Sequence, residues 1–143
     1  MSLQDKLKDL MGDKTAQQKE EGHQWLLENA KNPNVVMLPS GLQYEVLEPG
    51  TGATADMHSR VTVHYEGRLT NGKVFDSSYQ RGQTATFGVT QVIKGWTEAL
   101  QLMPQGSKWR LFIPSDLGYG ERGAGSIPPN SVLIFDVELI GIS

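Results

Sequence analysis

The sequence predicts an α+β fold: an antiparallel sheet with one short helix laid across it, preceded by a helical N-terminal extension. Three observations carry this. Composition changes near residue 38, since residues 1–38 hold only two of the 16 glycines and one of the seven prolines. Beyond residue 39, apolar and polar residues alternate with a period of two in several separate runs. One stretch there, and only one, has helical spacing. Strands that outnumber helices in this way favour a sheet with a helix packed on one face.

Leu3, Leu7, Leu10 and Met11 fall on one stripe of an amphipathic helix, with Gly12-Asp13 as its stop. A second helix is expected from about Thr15 to Lys31, with Trp25, Leu26, Leu27 and Ala30 on its apolar side and Asn32-Pro33 as its end. Gly22 weakens that helix by roughly 1 kcal/mol relative to alanine. Two uses of the extension stay open: packing on the main domain, or acting as a dimerisation arm, because an apolar stripe on a short helix needs burial.

The main domain, residues 39–143, opens with the strand-like run Leu42 to Leu47, closed by Pro49-Gly50-Thr51-Gly52. Val61, Val63 and Tyr65 then alternate with Thr62, His64 and Glu66. Asn71-Gly72 marks a hairpin turn, because both residues tolerate positive φ. Trp96, Ala99 and Leu100 place the short helix at about Trp96 to Leu102. Trp109, Leu111 and Ile113 alternate with Lys108, Arg110 and Phe112, and Leu133, Phe135, Val137 and Leu139 mark the last strand.

Charge and composition exclude several functions. Net charge is −3, without a run of five basic residues, so nucleic acid is not the expected ligand. No apolar stretch approaches the roughly 20 residues that span a bilayer. With no charged-then-apolar leader, a cytoplasmic location is expected, or a periplasmic or exported one if a leader has been removed. The absence of cysteine excludes disulfides, zinc–thiolate sites, iron–sulfur clusters and thiol nucleophiles.

His23, His58 and His64 are scattered and lack metal-ligand spacing, so no metal site is expected. A G-x-S-x-G elbow is missing, and Glu20-Glu21 lie on a helix face turned to solvent. Gly118-Tyr119-Gly120-Glu121-Arg122-Gly123 matches the dinucleotide fingerprint G-x-G-x-x-G. That fingerprint needs a helix to start at once. Here Ala124-Gly125-Ser126-Ile127-Pro128-Pro129 follows, which cannot carry one. The segment reads as a long glycine-hinged loop. What remains is a set of aromatic and aliphatic residues beside turns and loops, the composition of a small apolar pocket.

The blocks Val63-His64-Tyr65, Gly72 to Ser78, Val92-Ile93-Lys94-Gly95-Trp96, Tyr119-Gly120 with Ile127-Pro128-Pro129, and Leu133 to Leu139 occur in the order seen in the FKBP family. The resemblance covers nearly all of residues 40–143. Leu38 to Tyr44 and Leu102 to Trp109 resemble the bacterial-type branch that includes the macrophage infectivity potentiator proteins. The resemblance implies a twisted antiparallel sheet of about five strands wrapped over one short helix. It implies peptidyl-prolyl cis–trans isomerase activity in protein folding, without a cofactor. The alternative is a non-catalytic proline-peptide-binding or chaperone module using the same pocket. The partners it implies are proline-containing peptides, unfolded proteins and rapamycin-type macrolides, and a homodimer through the N-terminal helices.

By the same resemblance Trp96 forms the pocket floor. Tyr65, Phe75, Phe87, Val92, Ile93, Ile127 and Phe135 form its walls, and Asp76, Arg81 and Tyr119 its polar groups. Tyr65, Phe75, Asp76, Ile93, Trp96, Tyr119 and Phe135 are the expected catalytic set; Arg81, Phe87, Val92 and Ile127 bind substrate. Ala85 stands where the best-known members carry phenylalanine, and is expected to open one side of the pocket.

Overall fold

The computed structural model describes residues 3–143, with side chains from residue 16 onward. Its N-terminal element is one helix, α1 (Leu3–Asn29), with no break at Gly12-Asp13. The propensity penalty of a single glycine is about 1 kcal/mol, too small to end a helix of this length. The apolar stripe from Leu3 to Met11 lies outside the described side chains. The helix ends before Lys31, where Asn32 takes over the backbone: Val35 N–H donates to its carbonyl, and Asn34 N–H to its side chain.

The strands are β1 (Val35–Met37), β2 (Gln43–Glu48), β3 (Arg60–Leu69), β4 (Val74–Ser77), β5 (Ala85–Gly88), β6 (Lys108–Ile113) and β7 (Leu133–Ile142). They form one antiparallel sheet of seven strands in the order β1-β2-β6-β7-β3-β4, with β5 also paired to β3. The count exceeds five because β1 and β5 are short additions at the margins. β1 falls within the stretch read as helical extension, and its residues pair with β2. A four-residue helix α2 (Ser78–Arg81), the helix α3 (Lys94–Leu100) and a 3-10 turn at Ser115–Leu117 complete the chain.

Alternation sets the faces. Val61, Val63 and Tyr65 of β3 point inward and are buried, as are Leu111 and Ile113 of β6 and Leu133, Phe135, Val137 and Leu139 of β7. α3 covers this face with Trp96, Ala99 and Leu100. It starts two residues earlier than its apolar spacing suggests, because the Ile93 carbonyl accepts from Trp96 and Thr97 N–H; Gly95 lies so close to the sheet that a Cβ there would be 2.8 Å from Ile113 Cγ2. Fully buried leucines such as Leu100, Leu111 and Leu133 each contribute roughly 1.5–3 kcal/mol.

The opposite face is partly covered by α1. Leu26 packs with Phe112, Val132 and Ile134, and Trp25 lies 5.9 Å from the Phe112 ring. This explains why Phe112, on the polar side of the β6 alternation, is buried. The helix C-terminus is tied down by Gln43, which is 2% exposed. Its side-chain amide donates to the Leu26 carbonyl at 3.0 Å and accepts from Asn29 at 2.8 Å. The Leu26 carbonyl, which already accepts from Ala30 N–H at 3.0 Å, takes this as its second hydrogen bond. Asp136, facing the same side, accepts from Arg110 Nε at 2.7 Å and pairs with Arg68 at 3.4 Å.

The hairpin after β3 differs in detail from an Asn-Gly two-residue turn. Only Gly72 takes positive φ, at 90°. Leu69 O accepts from Gly72 N, and Leu69 N donates to Lys73 O. This is a turn followed by a left-handed residue, the other common short hairpin connection.

Candidate functional site

A cleft of about 730 Å³ opens between the end of α3, the β3–β4 region and the loop running from Gly118 to Val132. That volume falls in the usual range for small-ligand sites. It is lined by Tyr65, Phe75, Asp76, Phe87, Val92, Ile93, Trp96, Tyr119, Ile127 and Phe135, and also by Gln91 and Ala124–Ser126. Residues from four strands, one helix and two loops thus converge, although they span some 70 positions of sequence.

Trp96 is 4% exposed and lies at the base of α3. Three rings meet it edge-on: Tyr65 at 5.2 Å, Phe135 at 5.2 Å and Phe87 at 5.8 Å between centroids. Edge-on packing suits the negative face and positive rim of aromatic rings. Trp96 and its three ring partners all line the cleft. Phe75 extends the wall by an edge-on contact with Phe135 at 5.5 Å. Gly67 makes that approach feasible, since a Cβ there would fall 2.5 Å from Phe135 Cε1 and 2.7 Å from Phe75 Cζ.

The polar groups gather on one side. Tyr65 hydroxyl donates to Asp76 Oδ2 at 2.6 Å. Arg81 donates to Asp76 Oδ1 and, at 3.0 Å, to the Tyr65 oxygen. Its guanidinium also lies 5.6 Å from the Tyr65 ring centroid. Burial pushes the Asp76 carboxyl up, but hydrogen bonds from Tyr65 and Arg81 and the Arg81 charge outweigh it and hold the group below the usual carboxylate range. Burial, reinforced by the Asp76 carboxylate, pushes the Tyr65 phenol up. Asp76 is therefore an anion and Tyr65 a neutral donor at neutral pH.

Arg81 does not line the cleft. It stands behind Asp76, on α2, where Ser77 caps the helix by accepting from Gln80 N–H and Gly82 ends it at φ 68°. Ala85 does not line the cleft either. It pairs with Val63 and packs against the core. His64 points away from the apolar face, stacked on Tyr79 at 4.7 Å.

Two donors face the opening. Ile93 N–H precedes the first turn of α3, and no acceptor for it exists among the described residues. Tyr119, on the glycine-rich loop, is 39% exposed. That loop contains no helix at Gly118–Gly123; Gly120, Gly123 and Gly125 all have positive φ. Gln91 and Ala124–Ser126 escaped the sequence reading. The first is a polar side chain that accepts from Gly88 N–H at 3.0 Å, and the others carry little side chain to read.

The family model described as FKBP-type peptidyl-prolyl cis-trans isomerase matches residues 52–140. A second, for the domain amino-terminal to such isomerases, matches residues 1–46. The chain is 57% identical over 121 residues to the FKBP-type isomerase FkpA of Aeromonas hydrophila, covering 85% of this chain and 45% of that protein. It is 49% identical over 143 residues to the outer membrane protein MIP of Legionella longbeachae, covering 94% and 61%. Among solved structures, FkpA from Escherichia coli superposes with a TM-score of 0.89 at 40% identity, covering 95% of this chain and 64% of that one. A peptidyl-prolyl isomerase from Pseudomonas syringae gives 0.85 at 44%, covering 90% and 96%. The chain spans roughly half to three fifths of the length of these two curated relatives.

Proposed function

The chain belongs to the FKBP-type peptidyl-prolyl cis–trans isomerase family, and on that premise we propose that it accelerates rotation about X-Pro bonds of flexible peptide segments bound over Trp96. The observation that carries this is an open cleft lined by Trp96 and the three rings packed perpendicular to it. A proline ring is compact, apolar and of a size to rest on the Trp96 indole.

The reaction needs no nucleophile. Amide resonance sets a barrier of about 18–20 kcal/mol, and the uncatalysed process takes tens of seconds or longer. The planar amide is more charge-separated than the twisted one. An apolar cleft therefore disfavours the planar ground state relative to the twisted transition state. A thousandfold acceleration requires only about 4 kcal/mol of such differential stabilisation.

In this reading Trp96 supports the proline ring and Phe75, Val92 and Phe135 flank it. Ile93 N–H and the Tyr119 hydroxyl donate to substrate carbonyls, fixing one side of the rotating bond. Asp76 orients Tyr65 and Arg81 and sets the local field; it moves no proton, because none moves in the net reaction. Rapamycin-type macrolides occupy the same cleft and compete with peptide. Self-association through α1 belongs to the same proposal and is read by sedimentation velocity.

A protease-coupled assay on a short X-Pro peptide, with and without macrolide, tests the activity. Inhibitable turnover is the expected result. A folded protein that binds macrolide without turnover would make this a binding module instead.

A further inference from the structure

We infer that the C-terminal half of α1 positions the loop wall of the substrate cleft, and that Gly22 is the contact through which it does so. The inference rests on reading the cleft over Trp96 as the proline site. The loop has two ends with different neighbours. Its tip, Ala124 to Ile127, lines the cleft. Its base, Pro128 to Val132, lines a groove of about 370 Å³ shared with Gln18, Glu21, Gly22 and Trp25 of α1 and with Leu69–Asn71 of the β3–β4 hairpin.

Tip and base are mechanically joined. Ala124 and Ile127 exchange backbone hydrogen bonds at 3.1 and 2.8 Å, so the tip is a closed unit. Asn130 N–H donates to Gly120 O at 2.9 Å, which ties the base to the start of the loop. Asn130 is 4% and Val132 5% exposed, and Val132 packs with Leu26 of α1. A Cβ at position 22 would sit 3.1 Å from Val132 Cγ2 and 3.6 Å from Asn130 O. Position 22 thus sets how closely the helix approaches the loop base. A methyl there requires the Val132 side chain to give by a few tenths of an ångström, and on the proposal that adjustment is passed through the loop base to the tip.

Gly22→Ala tests this. Alanine is the better helix former, so the substitution does not weaken α1. Displacement of a substrate-contacting wall is expected to raise KM for the X-Pro peptide roughly threefold while leaving kcat within about twofold. Amide resonances of Ala124–Ile127 should shift in the free protein. Val132→Ala makes room for the added methyl, so Gly22→Ala/Val132→Ala should return both KM and the amide shifts toward wild type. Leu27→Ala, on the exposed side of the same helix, should change neither.

Unchanged KM and unshifted tip amides in Gly22→Ala would overturn the inference, as would shifts that Val132→Ala fails to reverse. If the wild-type chain shows no turnover, the proposed activity fails separately. The amide shifts and a rapamycin titration still decide whether α1 positions the loop.

Discussion

Replacing Trp96 with leucine removes the proposed platform while keeping an apolar side chain. The indole makes edge-on contacts with Tyr65, Phe87 and Phe135. At about 0.5–1.5 kcal/mol each, these sum to roughly 1.5–4.5 kcal/mol. Leucine recovers part of the apolar burial, so a stability loss of about 2–3 kcal/mol is expected. The indole N–H is buried with no partner among the described residues, so its removal forfeits no hydrogen bond. A proline ring resting on the indole buries on the order of 50 Å² of apolar surface. At ~25 cal/mol/Å² that is about 1.3 kcal/mol, or roughly tenfold in affinity. Urea denaturation gives the stability change, and a macrolide titration under conditions that keep the variant folded gives the affinity. Trp109→Leu is the control. Trp109 is 5% exposed, stacks on Tyr44 at 4.1 Å and also has an unpartnered indole N–H among the described residues, but lies outside the cleft. It should cost similar stability and leave affinity unchanged. Unchanged affinity in folded Trp96→Leu, or equal losses in both variants, would refute the platform.

Other consequences follow from the same contacts. Gly67→Ala places a methyl against Phe75 and Phe135; it should cost about 1–3 kcal/mol by urea denaturation and weaken peptide binding in the same protein. Asp76→Asn removes the anion that holds Tyr65 and Arg81, and should lower kcat/KM roughly 3–10-fold with little change in fold, measured by near-UV circular dichroism. Because the folded state holds the Asp76 and Asp136 carboxyls below their usual range, the stability they contribute is present above about pH 3.9. It is lost as pH falls through their depressed values, so urea midpoints should be insensitive to these groups at pH 5–8 and drop in acid. Asp136→Asn removes the carboxylate shared by Arg110 and Arg68, leaving Arg68 only Glu66 at 3.8 Å, and should cost about 2 kcal/mol at pH 7, a loss that shrinks on acidification.

Much of this architecture was legible because local signals agreed with the fold. The β3 and β7 alternations placed Tyr65 and Phe135 on the inner face, where both are buried. The prolines after Gly123 excluded a dinucleotide-binding helix, and the segment is indeed a loop. Other features depend on tertiary context. β1 has three residues and gains its partner only when β2 lies beside it. Gln43 reads as an ordinary strand residue, yet it is buried beneath the end of α1, where its side chain bonds the Leu26 carbonyl and Asn29. Gly22 reads as a flaw in a helix; the structure shows it facing Val132 at a distance that a side chain would disturb. Arg81 was grouped with the pocket by resemblance, but it reaches the site through Asp76 and Tyr65. The Gln43–Leu26 and Gly22–Val132 contacts pair residues from different elements, and no local periodicity reports them.

The most direct test of the central claim is two-dimensional NMR exchange spectroscopy on a short X-Pro peptide with a catalytic amount of the folded chain. Uncatalysed exchange takes tens of seconds or longer, too slow to give cross-peaks within a mixing time of about a second. The account predicts cis–trans exchange cross-peaks that disappear on adding one equivalent of macrolide and weaken strongly with Trp96→Leu. Exchange that stays at the uncatalysed rate with the native fold present, or that persists with the macrolide bound in the cleft, would contradict it.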